Sequence, residues 1–380
     1  MNQTPEQKAM DELKDMQKQA DKSKRLPLVG GVNNFPTDPD PEMILVGNGA
    51  IRIGDVAFLN SGAGMGKSVS MGQLAMAWSL GLPYFGIRPA RPLRILHYIG
   101  EDDEATMGQI REGFLLHSIA ITGQQLTAKH LEPLDEMLMT QFDRTAIGNF
   151  FLAAMKDEVE AFRPDMVFIN PLLSFIGGDP VQEATPFLRG GIMPILATNK
   201  CAALIAHHTC KLNKDSWANM DPTYSGIGGS EMANIPRTIL TLMPVRDGIV
   251  QLQASKRTTY GWRDADDNYM DHAFFRRTNN PTRPAWLPVP YSEVEALVES
   301  SKDSRRKGDM NDVLEILDRG DRLKSAVVED IMRMRKCGES TAKARVKEAL
   351  LADIGVREYD GEKPERGGSA PKWLTNQPHE

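Results

Sequence analysis

The sequence predicts an α/β fold: a mostly parallel sheet with helices on both faces, then a small C-terminal domain of three helices and a hairpin. Three observations predict it. Short apolar runs recur between about residues 50 and 260, and helix-length stretches separate the early ones. The first run leads directly into a glycine cluster and then an apolar, helix-like segment. Beyond a proline-rich stretch at 276–308, the pattern changes to amphipathic helices.

The elements follow in chain order. Residues 1–25 are charged and helix-like, with Met10, Leu13, Met16 and Ala20 loosely on one side. They read as a solvated helix or as an arm docking on a neighbouring subunit. Residues 29–42 are rich in turn formers and complete an arm and linker over 1–45. The core domain is expected over 46–275. Its strands are DVAFLN (55–60), LRILHYIG (93–100), DMVFIN (165–170), AALIAHH (202–208), TILTLM (238–243) and IVQLQAS (249–255). Helices are expected at 67–80, 104–117 and 149–162. Strands alternating with helices imply parallel pairing through crossovers. Runs apolar on both faces suit strands covered by helices. The last two strands are close enough to form a hairpin at the sheet edge. A linker is expected at 276–308. Over 309–375, MNDVLEILDR, LKSAVVEDIMRMRK and ESTAKARVKEALLADI read as helices, with IGVREY and APKWLT as two strands around a polar turn. Three helices followed by a hairpin are the element order of a winged helix.

Bulk composition excludes several classes. A chain of 380 residues is too long for one small domain. Its hydrophobic content of 41% and charged content of 25% are ordinary for a globular protein. A net charge of -6 argues against a wholly basic nucleic-acid binder, though a local basic patch remains open. Cys201, Cys210 and Cys337 are odd in number and widely spaced, which indicates neither a disulfide framework nor a zinc site. The polar N-terminus lacks a signal-peptide core, and no apolar run reaches the length of a bilayer span. The expectation is a cytoplasmic protein with no membrane partner.

The glycine cluster carries the first functional signal. SGAGMGKS (61–68) matches G-x-x-x-x-G-K-[ST], with Ser61 in the place of the first glycine. Main-chain amides of Gly62, Ala63, Gly64, Met65 and Gly66 can wrap phosphate oxygens only where no side chain intrudes. The helix N-terminus adds a favourable partial charge. Lys67 would reach the β- and γ-phosphates, Ser68 would hold Mg²⁺, and Val69 follows them in the nucleotide-binding set. ATP and Mg²⁺ are therefore the expected cofactors.

Later strand ends supply candidates for chemistry. Glu101, after the second strand, is placed to orient or deprotonate a water attacking the γ-phosphate, while Asp102 or Asp103 could cap the helix that follows. Asn170 ends the third strand, where a metal-holding Asp usually stands. Its amide keeps an acceptor oxygen and drops the charge, so weaker metal affinity and slow turnover are expected. Asp179 is a substitute or simply a turn residue. His207 and His208 end the fourth strand, and His208 is favoured as a sensor of the γ-phosphate.

Taken in order, SGAGMGKS, YIGEDD, FINPLLSFIGGD, AHHTCK, GIGGSEMANIPRTI and SKRTTYG make the chain resemble the RecA-type ATPases. Within these it is similar to the plasmid RepA-type hexameric helicases and their phage relatives. The resemblance covers about 50–262. It implies a ring, usually a hexamer, with ATP at each subunit interface and hydrolysis coupled to movement on single-stranded DNA. It assigns Lys256 and Arg257 to a neighbour's γ-phosphate, although a solvated basic pair has the same composition. Asn170 departs from the family's Asp. The loops at 171–186 and 210–230 would face the pore, and Lys211, Lys214, Trp217 and Tyr224 suit a single strand by charge and stacking. In the tail, residues 332–347 hold six basic residues against Glu339, and Lys343, Arg345 and Lys347 are the candidates for DNA phosphates.

Two functions are expected from this. One is an ATP-driven translocase or helicase in the replication of a phage or mobile element. The alternative is an ATP-gated DNA-binding or loading factor with slow hydrolysis. A recombinase-like filament former is a third reading.

Overall fold

A computed structural model of the protein describes residues 40–142, 145–209, 221–226, 229–246, 248–258, 260–262, 267–297, 312–318, 320–351, 356–361 and 370–376. Ile44–Val46 (β1) and Ile51–Arg52 (β2) form a short antiparallel ribbon. Val56–Ser61 (β3), Ile95–Ile99 (β4), Leu138–Gln141 (β5), Met166–Asn170 (β6), Ala202–His208 (β7) and Thr238–Arg246 (β8) then run parallel in the spatial order β5-β4-β6-β7-β3-β8. Every residue of β3, β4 and β6 is buried, as strands covered on both faces require.

Two apolar layers cover this sheet. Lys67–Ser79 (α1) and Glu104–Leu116 (α2) pack on one face, with Trp78 and Phe114 fully buried. Asn149–Phe162 (α3) packs on the other face through Phe151, Met155 and Val159. All three helices lie within a residue of their expected bounds. The sheet and its two helical layers make the expected α/β fold, a RecA-like core. Among the described residues, no helix is long and apolar enough to cross a membrane.

The sheet is wider than the sequence suggested. Ile249–Lys256 (β9) pairs antiparallel with β8, as the expected hairpin requires. It is not an edge, because His272–Arg277 (β10) and Trp286–Val289 (β11) extend the sheet beyond it. The stretch expected to begin the linker at 276 thus carries the end of β10 and all of β11. Proline misled the reading here. Pro288 lies on an outermost strand, where a missing N–H costs no ladder bond on the open side.

The C-terminal unit has its own apolar core, including Val313, Leu317, Val327, Ile331, Val346 and Leu374. A helix over 312–317 precedes Arg322–Leu323 (β12), Lys324–Arg335 (α4), Glu339–Leu351 (α5), Arg357–Asp360 (β13) and Lys372–Thr375 (β14). Its antiparallel sheet has the order β12-β14-β13.

Candidate functional site

Parallel strands deliver their C-terminal ends to one edge of the sheet, and the loops leaving those ends line a crevice. Here β3, β4, β6 and β7 converge in this way. The loop after β3 turns through Gly64 (φ +74°) and Gly66 (φ +81°), left-handed values that favour glycine. Gly66 caps α1 in that conformation, so α1 starts at Lys67 directly above the end of β3. A Cβ on Gly64 would meet open space, which leaves the outer side of the loop accessible to a ligand. Ser68 lies part-exposed at the mouth, while Val69 is buried with α1.

Lys67 is buried and folded back over the loop. Its Nζ donates to the carbonyls of Ser61 and Gly62, both at 3.3 Å, and lies 3.2 Å from His208 Nδ1. Burial lowers its pKa, and the carboxylate of Glu101 opposes that shift. His208 reaches this point because β7 lies beside β3, with His208 in register with Ser61. Its Nε2 faces Glu101 Oε1 at 3.7 Å. Burial, then the Lys67 charge, lower the His208 pKa, with Glu101 acting against both. A neutral ring that accepts from Lys67 at Nδ1 carries its proton on Nε2, toward Glu101. Lys67, His208 and Glu101 therefore form a chain from the glycine loop to the strand-end carboxylate.

The neighbouring candidates divide by role. Asp103 caps α2, accepting from Thr106 N at 2.8 Å, so capping does not fall to Glu101. Asn170 is buried at the end of β6, and its main-chain carbonyl accepts from Gly100 N at 2.9 Å. Asp179 caps the helix Pro180–Pro186 through Val181 N at 2.8 Å, the turn-residue reading. His207 points to the opposite face, tilted against Phe58 with ring centroids 5.5 Å apart. Successive residues of a strand face opposite sides, so only one of the two histidines can reach the loop. Among the described residues, no group of three or more His, Cys, Asp or Glu could hold a metal ion.

Lys256 and Arg257 lie elsewhere. Lys256 is in register with Ile239, and Arg237 N donates to Val56 O, which places both cations beside the N-terminal end of β3. Ser61, where the loop begins, lies three residues beyond Phe58, the β3 residue level with Lys256, and six beyond Asp55, the partner of Arg257, roughly 10 Å and 20 Å along the strand. Lys256 Nζ donates to the carbonyls of Ala233 and Pro236. Arg257 pairs with Asp55, just ahead of β3. Neither cation reaches its own chain's glycine loop.

Of the expected DNA contacts, Lys211, Lys214 and Trp217 lie outside the described residues, and Tyr224 is exposed. Lys343 is exposed and paired with Glu339 at 2.7 Å, and Lys347 is exposed. Arg345 differs from them. With Arg335 it binds the buried carboxylate of Asp312, at 2.7 Å, so its guanidinium braces the C-terminal core instead of facing solvent.

Sequence reasoning missed two residues at these sites. Asp55 carried no signal beyond its place at the start of the expected strand DVAFLN. Trp286 was hidden in a proline-rich stretch, yet its Nε1 lies 3.4 Å from the Gly66 carbonyl. In comparisons with known proteins, a family profile described as AAA domain matches residues 19–214, just over half of the chain. No curated protein matches.

Proposed function

This chain belongs to the AAA domain family of P-loop ATPases, and on that premise we propose that it is an oligomeric, ATP-driven translocase or helicase acting on single-stranded DNA. The observation that carries the nucleotide reading is the convergence of Lys67, His208 and Glu101 on an open glycine loop. The residues fit a nucleotide. The loop offers amides and a helix N-terminus to phosphate, and Lys67 occupies the position of a phosphate counter-charge. Ser68 and Asn170 would hold Mg²⁺ through neutral oxygens, leaving the phosphates to supply most of its charge. When bound, Mg²⁺ would neutralise charge on the transferred phosphoryl group. Glu101 would orient the attacking water. Lys67 must leave the Ser61 and Gly62 carbonyls to meet a phosphate, which alters the donor seen by His208 and makes that ring a sensor.

Three further features support the assembly and DNA parts of the reading. Arg257, held at Asp55, is a strand's length from its own loop, so another copy would have to present it to a phosphate, with Lys256 beside it. The resemblance to RepA-type helicases implies a hexameric ring. The helix and strand order of the C-terminal unit, with β12 pairing β14, suits a winged helix that offers α5 to DNA through Lys343 and Lys347. ATPase activity measured with and without single-stranded DNA, alongside unwinding of a forked duplex, tests the proposal. Stimulation with unwinding is expected; turnover indifferent to DNA would overturn it. Asn170 favours a second reading, an ATP-gated DNA-binding or loading factor. In that case ATP binds with little turnover, and Asn170→Asp raises the rate.

A further inference from the structure

The proline-rich stretch read as linker returns to the heart of the core. The chain leaves β10, turns, and comes back across the helices that flank the glycine loop. Gln73, on α1, donates from Nε2 to the Pro284 carbonyl at 3.2 Å. Gly113, on α2, packs directly on that same carbonyl, where a Cβ would collide with backbone. Two residues later, Trp286 is buried against the loop itself. A Cβ on Gly66 would lie 2.6 Å from Trp286 Cζ2, and the Gly66 carbonyl accepts from both Ser70 N at 3.0 Å and Trp286 Nε1 at 3.4 Å.

This geometry gives the loop two unlike sides. Its outer side at Gly64 is open, and its inner side at Gly66 is closed by an indole ring. Gly66 is the pivot between loop and helix, with a left-handed φ of +81°. A ring against that pivot removes the space into which the loop would relax. Its N–H also fixes the carbonyl whose peptide unit points the next amide, that of Lys67, outward. Pre-set amides bind phosphate without first losing conformational freedom.

We propose that Trp286 is a positioning residue for nucleotide, holding the glycine loop from behind in its phosphate-binding conformation. It touches no reacting atom and acts through Gly66. The same segment braces α2, which begins just after Glu101, so one stretch of chain sets the distance between the loop and the strand-end carboxylate. This inference rests on the nucleotide reading of the glycine loop.

Trp286→Phe keeps most of the ring and removes the N–H; Trp286→Leu removes the ring. Calorimetric titration of each full-length variant with a magnesium complex of a non-hydrolysable ATP analogue, run well below the nucleotide-free melting temperature, separates positioning from folding. A purely structural role would lower the melting temperature and leave the affinity of the folded fraction unchanged. The expected result is a Kd raised about threefold by Trp286→Phe and at least about tenfold by Trp286→Leu, with the melting temperature of the Phe variant close to that of the unaltered chain. Unaltered affinity in both variants overturns the proposal alone. Failure of the unaltered chain to bind the analogue overturns the nucleotide reading, and the proposal with it.

Discussion

The two edges of the central sheet are built differently. At the edge where β3, β4 and β7 end, Lys67, His208 and Glu101 converge on a loop with an open side. At the edge where β3 begins, Lys256 and Arg257 turn inward, onto backbone carbonyls and Asp55. The first edge presents a site to solvent. At the second, both cations are engaged by those inward partners. β3 holds Arg257, at Asp55, roughly 20 Å from the strand's far end, and one molecule cannot bring it to its own loop. Stacking one copy's second edge on the next copy's first edge can. On the proposed oligomeric reading, the contrast means that the chain carries both halves of a composite site.

The sharpest way to break this comparison is Arg257→Ala. If the second edge serves a neighbour, turnover falls about 10³-fold while nucleotide affinity barely moves, because a trans cation acts on transition-state charge. Asp55→Asn is the control, since it breaks the same ion pair and leaves the cation; its turnover should stay near that of the unaltered chain. Mixing Arg257→Ala with Lys67→Ala subunits should restore part of the rate, because each supplies the edge the other lacks. No rescue at any ratio would confine both residues to structural roles.

Changes at the first edge sharpen the contrast by separating binding from rate. Glu101→Gln should lower turnover about 10²- to 10³-fold with binding retained, the signature of a lost base or water-orienting group. Lys67→Ala should weaken nucleotide binding about 10²-fold, the worth of a buried, charge-assisted contact. Equilibrium titration and steady-state rates, measured on the same preparations, distinguish these outcomes. Binding unchanged in Lys67→Ala would remove the glycine loop from the site.

Most of the first edge was legible in the sequence, and little of the second. SGAGMGKS encodes its own local geometry, because glycines at 64 and 66 permit the turn and Lys67 follows at a fixed offset. Glu101 and His208 were legible because strand ends of a parallel sheet share an edge. Choosing His208 over His207 depended on which of them shares a sheet face with Lys67, a matter of register that alternation alone leaves open. Asp55 and Trp286 depend on contacts 202 and 220 positions apart in the chain. Neither contact has a local signal, and in the case of Trp286 the flanking prolines pointed to linker. Arg345 shows the same limit from the other side. Its basic neighbours suggested DNA, and only the fold reveals that Asp312 lies beneath it.

Between the edges, in the middle of β4, lies His97, and it offers the test with the smallest effect at neutral pH. The ring is fully buried, stands edge-on to Phe168, and has no hydrogen-bond partner for either nitrogen. Burial pushes its pKa from 6.5 down to about 3. The folded chain therefore leaves His97 neutral over a range in which the unfolded chain protonates it. Its contribution is complete above pH 6.5 and is lost as pH falls toward 3, at a slope of up to about 1.4 kcal/mol per pH unit. His97→Leu should be neutral or slightly stabilising at pH 7, since two unpartnered nitrogens are replaced by carbon. In denaturant unfolding at pH 7, 6, 5 and 4, the variant should lose less stability on acidification than the unaltered chain, by a margin that widens with each step. Because β4 is the strand that leads into Glu101, the acid-labile unaltered chain should lose nucleotide binding and its melting transition together. Parallel acid limbs for the two proteins would show that His97 does not set the acid stability of β4.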